Sequence, residues 1–194
     1  MALTPSTMLP LGSALPLKLL QERLTPVCGG PLEPSQLAAK PVLLLVICPH
    51  CPFVHHIQAE LVRLARDYGD RVAILAINSN STRTHPQDGP EGMRRQAREQ
   101  GWSFPYLQDR DQAVAKALQA ACTPDPFLFD ATHRLAYRGQ LDGSRPGNGI
   151  PCDGRDLRAA LDAVLAGEAP AAEQFPSIGC NIKWHPGHEP AWAR

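Results

Sequence analysis

No stretch of this chain is long and apolar enough to span a bilayer. Its longest apolar run, residues 41–47, falls far short of the ~20 residues that a membrane helix needs. Neither charge is in excess, since 19 basic residues face 19 acidic ones, and there is no run of Lys or Arg. A neutral chain lacks the basic face that phosphate binding requires, so nucleic acid and membrane are both excluded as expected partners. Residues 1–20 hold no basic region ahead of an apolar block and are broken by Pro5, Pro10 and Pro16. No secretory leader is therefore expected, and the chain reads as soluble and cytoplasmic. Internal repeats and low-complexity blocks are missing as well.

The chain does have 194 residues, 43% of them hydrophobic, which is ample for one buried core. Twenty prolines and fifteen glycines point to many turns and extended connections. Six cysteines (Cys28, Cys48, Cys51, Cys122, Cys152 and Cys180) are too few for a disulfide-stapled scaffold. In a reducing compartment their expected roles are catalytic, metal-binding or simply buried.

Residues 1–40 read as an irregular, Pro-rich extension with one short extended piece near Leu15–Leu20. The run 41–47 is continuous and branched, the pattern of a strand covered on both faces. Val54, Ile57, Leu61 and Leu64 then recur at helical spacing, with Gly69 just beyond. Arg71–Asn78 is a second buried strand, so strand, helix and strand form a parallel unit. Pro90 opens a helix that runs to Gln100 and stops at Gly101. A strand at Phe104–Leu107, a short helix at Gln112–Ala121 and a hairpin of Phe127–Phe129 with Leu135–Arg138 follow. Asp153 is the expected cap of a last helix carrying Leu157, Leu161, Val164 and Leu165, which Gly167 ends. The boundaries expected are an extension over 1–40, a domain over 41–167 and an extended tail over 168–194.

The chemistry concentrates in Cys48-Pro49-His50-Cys51, at the end of a buried strand and directly before a helix. Unpaired N–H groups and the helix dipole stabilise a thiolate there, expected on Cys48. Pro49 is tolerated in a first helical turn, where its missing N–H costs nothing. Cys51, one turn on, is close enough to close a disulfide with Cys48. Cys48 is thus the expected attacking thiol and Cys51 the resolving one, with a protonated His50 favouring the Cys48 thiolate. A zinc site needs further ligands, and Cys122, Cys152 and Cys180 have no partner at zinc spacing. Neither metal nor cofactor is expected. By base rate alone, the Thr123–Pro124 bond reads as trans and Cys122 as a small buried hydrophobe. Cys28 and Cys152 lie in Gly/Pro-rich loops, and a bridge between them is one option.

The strand, CxxC, helix and strand, with Thr-Pro before a hairpin, resemble the thioredoxin fold. CPHCPFVHHI, AINSNSTRTHPQDGPEGM, FPYLQDRDQAVAKAL, CTPDPFLFD, YRGQLDGSRP and PSIGCNIKW resemble, in order, bacterial peroxiredoxin-like proteins of the thioredoxin family, within the alkyl hydroperoxide reductase/thiol-specific antioxidant superfamily. The resemblance implies an α/β thioredoxin-like fold, a central mixed sheet flanked by helices. It implies a cis bond before Pro124, reversing the base-rate reading, with Thr123 as the substrate-contacting residue. It makes Cys122 and Cys180 candidate accessory thiols. The implied activity is thiol–disulfide oxidoreduction on protein or small-molecule thiols and disulfides, supported by a thioredoxin or glutathione reducing system. A thiol peroxidase with Cys51 peroxidatic is the alternative. A further alternative is metal binding, since some copper-delivery proteins of this fold use two cysteines and a histidine, here Cys48, Cys51 and one of His50, His55 or His133. The chain departs from the pattern in three places. Ile47 replaces a tryptophan, the strand 41–47 has no buried acid to accept a proton, and Cys48 stands where peroxiredoxins carry a threonine. Two folds of the tail fit its sequence, over the active site or over a sheet edge.

Overall fold

The computed structural model describes residues 3–193. In chain order the elements are β1 (Leu3–Pro5), α1 (Leu17–Arg23), β2 (Leu24–Cys28), α2 (Pro34–Leu37), β3 (Val42–Val46), α3 (Pro52–Tyr68), β4 (Ala73–Asn78), α4 (Pro90–Gln100) and β5 (Tyr106–Asp109). There follow α5 (Ala113–Ala117), β6 (Cys122–Thr123), β7 (Asp125–Phe129), β8 (Leu135–Arg138), α6 (Arg155–Leu165) and β9 (Ile178–Asn181). A six-stranded mixed sheet runs β2-β5-β4-β3-β7-β8, and a small three-stranded sheet runs β1-β9-β6. This is the expected α/β class, a mixed sheet between helices.

The all-apolar β3 explains the layering. It is central, parallel to β4 and antiparallel to β7, and every residue in it is buried. Side chains alternate across a strand, so one sequence serves two cores. Leu43 and Leu45 face Val54, Ile57, Leu61 and Leu64 of α3 with Leu157 and Leu161 of α6. Val42, Leu44 and Val46 face Leu20, Leu37, Val114 and Phe127. Buried Glu60 ties α3 to α6, accepting from Arg63 Nε at 2.5 Å and from Arg158 Nε at 2.6 Å.

Several expectations are corrected. The extended piece expected near Leu15–Leu20 gives way to helix α1, because a helix turns Leu20 into the second core. The segment 1–40 is not irregular: β2 pairs antiparallel with β5 as an edge strand, where the N–H that Pro26 lacks is not needed. The strand expected at Phe104–Leu107 is Tyr106–Asp109, and the helix at Gln112–Ala121 shortens to Ala113–Ala117. Gly154, in a left-handed conformation, is the N-cap of α6, and Asp153 sits one residue earlier, its Oδ1 accepting from the Arg155 amide. Cys28 and Cys152 are separate thiols rather than a bridge.

Asp125, the first residue of β7, is fully buried with fully buried Arg138 of β8. Arg138 Nη2 donates to Asp125 Oδ2 at 3.3 Å and to the Gln119 carbonyl at 2.7 Å, and its guanidinium lies 4.6 Å from the Phe127 ring centroid. The Ser6 hydroxyl and the Ala121 amide also donate to the Asp125 carboxylate. Removing one partner leaves the other an uncompensated buried charge. Arg138→Ala is therefore expected to lose about 3–5 kcal/mol of unfolding free energy. The double variant Asp125→Ala/Arg138→Met should lose less, with urea denaturation as the measurement for both.

Candidate active site

The helix after the motif begins later than its sequence implies. Pro52 is the first helical residue and Cys51 is the N-cap, with the His55 amide donating to the Cys51 carbonyl at 3.0 Å. Cys48, Pro49 and His50 form the turn that leads out of β3. Two prolines flank the junction, and Pro52 is the one that fits a first helical turn. The helix end therefore acts on Cys51, where the sequence pointed to Cys48.

Both thiols are fully buried. The Cys51 thiol is pulled down to about 5, chiefly by a hydrogen bond from the Cys48 thiol; the Thr123 hydroxyl, the Cys180 thiol and the Val54 amide add to this against the cost of burial. Cys48 moves the other way, pushed well up by burial, by its hydrogen bond to Cys51 and by the nearby Asp88 carboxylate. The Thr123 carbonyl, 3.1 Å from Cys51 Sγ, accepts the Cys51 proton in the dithiol and opposes a thiolate. Four donors outweigh that one acceptor, so the first proton lost from the pair leaves its charge on Cys51.

His50 connects the pair to an acid that no motif singled out. Asp88, 38 positions away and fully buried, accepts from the His50 amide at 3.1 Å and pairs through Oδ2 with His50 Nδ1 at 2.5 Å. Asn80 Nδ2 donates to the same oxygen at 2.8 Å, and Asn78 Nδ2 holds the Asp88 carbonyl at 2.6 Å. Cys48 Sγ lies 3.8 Å from His50 Nδ1, and His85 stacks on His50 with ring centroids 5.2 Å apart. The His50 side chain is 23% exposed while Asp88 is sealed, so the dyad spans from the buried sulfur to solvent. Asp88 is thus a buried acid beside the pair, of the kind that β3 lacks. The signal for it was a polar loop in the run that resembled the family, without anything to single out Asp88.

The loop before β7 closes the opposite side. The Thr123–Pro124 bond is cis, as the resemblance implied, and Thr123 Oγ1 is 3.5 Å from Cys48 Sγ. Beyond it lies the tail, with β6 and β9 pairing antiparallel and Thr123 opposite Cys180. The tail therefore folds over the active site. Cys180 is buried and touches Cys51; burial, and then Cys51, push its thiol up to about 12. Cys122 turns aside, its sulfur 3.6 Å from the Pro124 carbonyl and 3.9 Å from that of Ser177, in the surroundings of Asp125 and Arg138. The two accessory thiols thus have different positions: Cys180 joins the pair and Cys122 anchors the loop.

The candidate metal histidines separate. His55 Nε2 faces the Pro49 carbonyl at 2.5 Å, and His133 Nε2 faces the Leu37 carbonyl. Among the described residues, Cys48, His50 and Asp88 form one cluster with ligand atoms within 4.8 Å of one another. Three ligands fall short of the four of a closed tetrahedral site, and the Asp88 oxygens already accept from Asn80 and the His50 amide.

Solved structures place these features in context. An uncharacterized conserved protein from Geobacillus kaustophilus is 48% identical, with TM-score 0.89, over 96% of this chain and 98% of its own. A hypothetical protein from Sinorhizobium meliloti 1021 is 43% identical, with TM-score 0.87, over 95% of this chain and 100% of its own. A secreted Mycobacterium tuberculosis disulfide oxidoreductase shares the fold at 19% identity and TM-score 0.55, over 77% of this chain and 98% of its own. No curated protein is similar enough to the chain to count as a relative. The AhpC/TSA family model matches residues 17–138, a span running from α1 to the end of β8 and taking in Cys48, Cys51, Asp88 and the Thr123–Pro124 loop. The protein thus belongs to the AhpC/TSA family, and its chemistry is of the thiol–disulfide oxidoreductase or thiol peroxidase class.

Proposed function

We propose that the protein is a thiol–disulfide oxidoreductase whose redox couple is Cys48–Cys51. The observation that carries this reading is two fully buried cysteines side by side beside the cis Thr123–Pro124 loop, one of them the N-cap of α3. Cys51, as the thiolate, attacks a substrate disulfide and forms a mixed disulfide. Cys48 then attacks Cys51 Sγ, the substrate thiolate leaves, and the Cys48 proton departs through His50 and Asp88. This reverses the order that the motif alone implied. It follows chiefly from the hydrogen bond that the Cys48 thiol gives to Cys51, with the Val54 amide at the helix start adding to it. The substrates are protein or small-molecule disulfides, and a thioredoxin or glutathione system restores the dithiol.

Access to the couple needs movement. Neither sulfur is open to solvent, since Cys48 and Cys51 are both fully buried. A substrate reaches the sulfurs when a segment packed against them, such as His50 or β9, shifts.

The lowered Cys51 thiol favours a second reading, a peroxidase. There the Cys51 thiolate takes one oxygen from a hydroperoxide, giving a sulfenic acid and an alcohol or water. Cys48 condenses with the sulfenic acid, releasing water. Fast, selective sulfenic acid formation on Cys51 with hydrogen peroxide, outpacing exchange with glutathione disulfide, would establish this reading over the first.

The order of attack is checked with single variants. Cys51→Ser should abolish disulfide turnover, and Cys48→Ser should accumulate a mixed disulfide on Cys51, read by intact mass. The opposite pattern would place the working thiolate on Cys48.

The pH dependence is equally specific. A low thiol pKa means that the reactive form appears as pH rises through about 5, against about 8.5 for an ordinary cysteine. Alkylation of Cys51 should climb across that window and be flat by neutrality. Cys48→Ala removes the strongest donor, so the midpoint should move upward. Ultraviolet thiolate absorbance reads both proteins.

A further inference from the structure

The β9 strand lies beyond the span matched by the family model, yet it is built into the redox centre. Three contacts fasten it there. The Ser177 hydroxyl donates to the Pro124 carbonyl at 2.6 Å, the Ile182 amide to the Ala121 carbonyl at 3.0 Å, and the Lys183 amide to Asn80 Oδ1 at 2.9 Å. Between these anchors, Thr123 sits opposite Cys180, and Cys51 contacts Cys48, Thr123 and Cys180.

Gly179 makes the approach this close. A Cβ there would lie 2.0 Å from the Thr123 carbonyl oxygen, where any side chain would force the strands apart. That oxygen is the one that accepts from Cys51. A strand that merely covered a core patch has no need for such an approach.

We infer that Cys180 is a third redox thiol, which takes over the disulfide by attacking Cys51 Sγ. The inference rests on the reading of Cys48–Cys51 as the redox couple. As the Cys180–Cys51 bond forms, the Cys48–Cys51 bond breaks, and Cys48 leaves with the electron pair. The proton given up by Cys180 ends on Cys48. One disulfide and one thiol become another disulfide and another thiol, so the step needs no outside oxidant or reductant.

The direction of the step fits the local charge. In the dithiol, the Cys51 thiolate helps to hold the Cys180 proton. Once Cys51 is in a disulfide that charge is gone, and Cys180 is freer to ionise, with Lys183 nearby to favour it. Cys180 is buried, so its natural reaction partner is the sulfur it already touches. Cys122 is just as buried, but its sulfur turns toward the Pro124 and Ser177 carbonyls.

The test uses the full chain carrying Cys48→Ser, treated with the small thiol oxidant diamide and then denatured, alkylated and mapped by mass. The expected result is a Cys51–Cys180 cross-linked peptide, with both residues lost to alkylation and Cys122 still alkylated. Any other fate of Cys51, whether an unbridged thiol or a bridge to Cys122, overturns the inference. Gly179→Ala in the same background moves β9 by about 1 Å, so the bridge should form about 100-fold more slowly. Cys180→Ser, nearly isosteric, gives a folded protein without the bridge should Gly179→Ala fail to fold. A glutathione titration of the wild type separates the two ideas. If Cys48 and Cys51 pair there while the variant forms no Cys51–Cys180 bridge, only the inference falls. If they never pair, the oxidoreductase reading falls.

Discussion

Thr123 is where the molecule's constraints meet. Its carbonyl takes the Cys51 thiol proton, its hydroxyl faces Cys48, and its backbone pairs with Cys180. Its position is fixed from behind by the buried Asp125–Arg138 pair, two residues on, which also binds the chain at Gln119, Ala121 and Ser6. A buried ion pair is weak evidence for stability but a strong device for fixing one geometry, and fixing geometry is what a thiol cluster requires. The segment 138–145, part of the run that resembled the family, has a structural role. Arg138 anchors the loop, and Asp142 accepts from the amides of Ser144, Asp153 and Gly154, setting the entry into α6.

The thiols are unusual in being sealed. Burial alone would hold both protons in place, since desolvation disfavours charge. The charge is tolerated on Cys51 because hydrogen-bond donors surround it, and because the neighbouring thiol keeps its own proton against the Asp88 carboxylate. The two shifts are coupled: the hydrogen bond between the thiols lowers Cys51 and, with burial, raises Cys48, while the Val54 amide on one side and Asp88 on the other act in the same directions. Thiol specificity of this kind comes from placement.

The sequence made the framework legible because the framework is local. The apolar run of β3, the 3.6-residue spacing of α3 and the Pro90 start of α4 are set by neighbours in the chain, and each appears where its pattern puts it. The CxxC motif was equally plain. What escaped was set by distance in sequence. Asp88 reaches His50 from a loop 38 positions away, and although Cys180 was a candidate thiol, its place beside Cys51 rather than that of Cys122 is set by strand pairing across the cis-proline loop. The helix start was misplaced by three residues because Pro49 and Pro52 both fit a first helical turn, and packing chose Pro52. The N-terminal segment hid α1 and β2 because its prolines read as breakers, while tertiary burial of Leu20 and pairing with β5 overrode them.

The small β1-β9-β6 sheet also has a meaning in time. A ribosome delivers β3, α3 and the Thr123 loop well before it delivers β9, and β1 has no β9 to pair with until then. Until β9 is made, β1 and β6 lack the strand that lies between them, and Cys51 lacks its Cys180 neighbour. The cover of the redox centre is thus supplied by a part of the chain made after the centre itself.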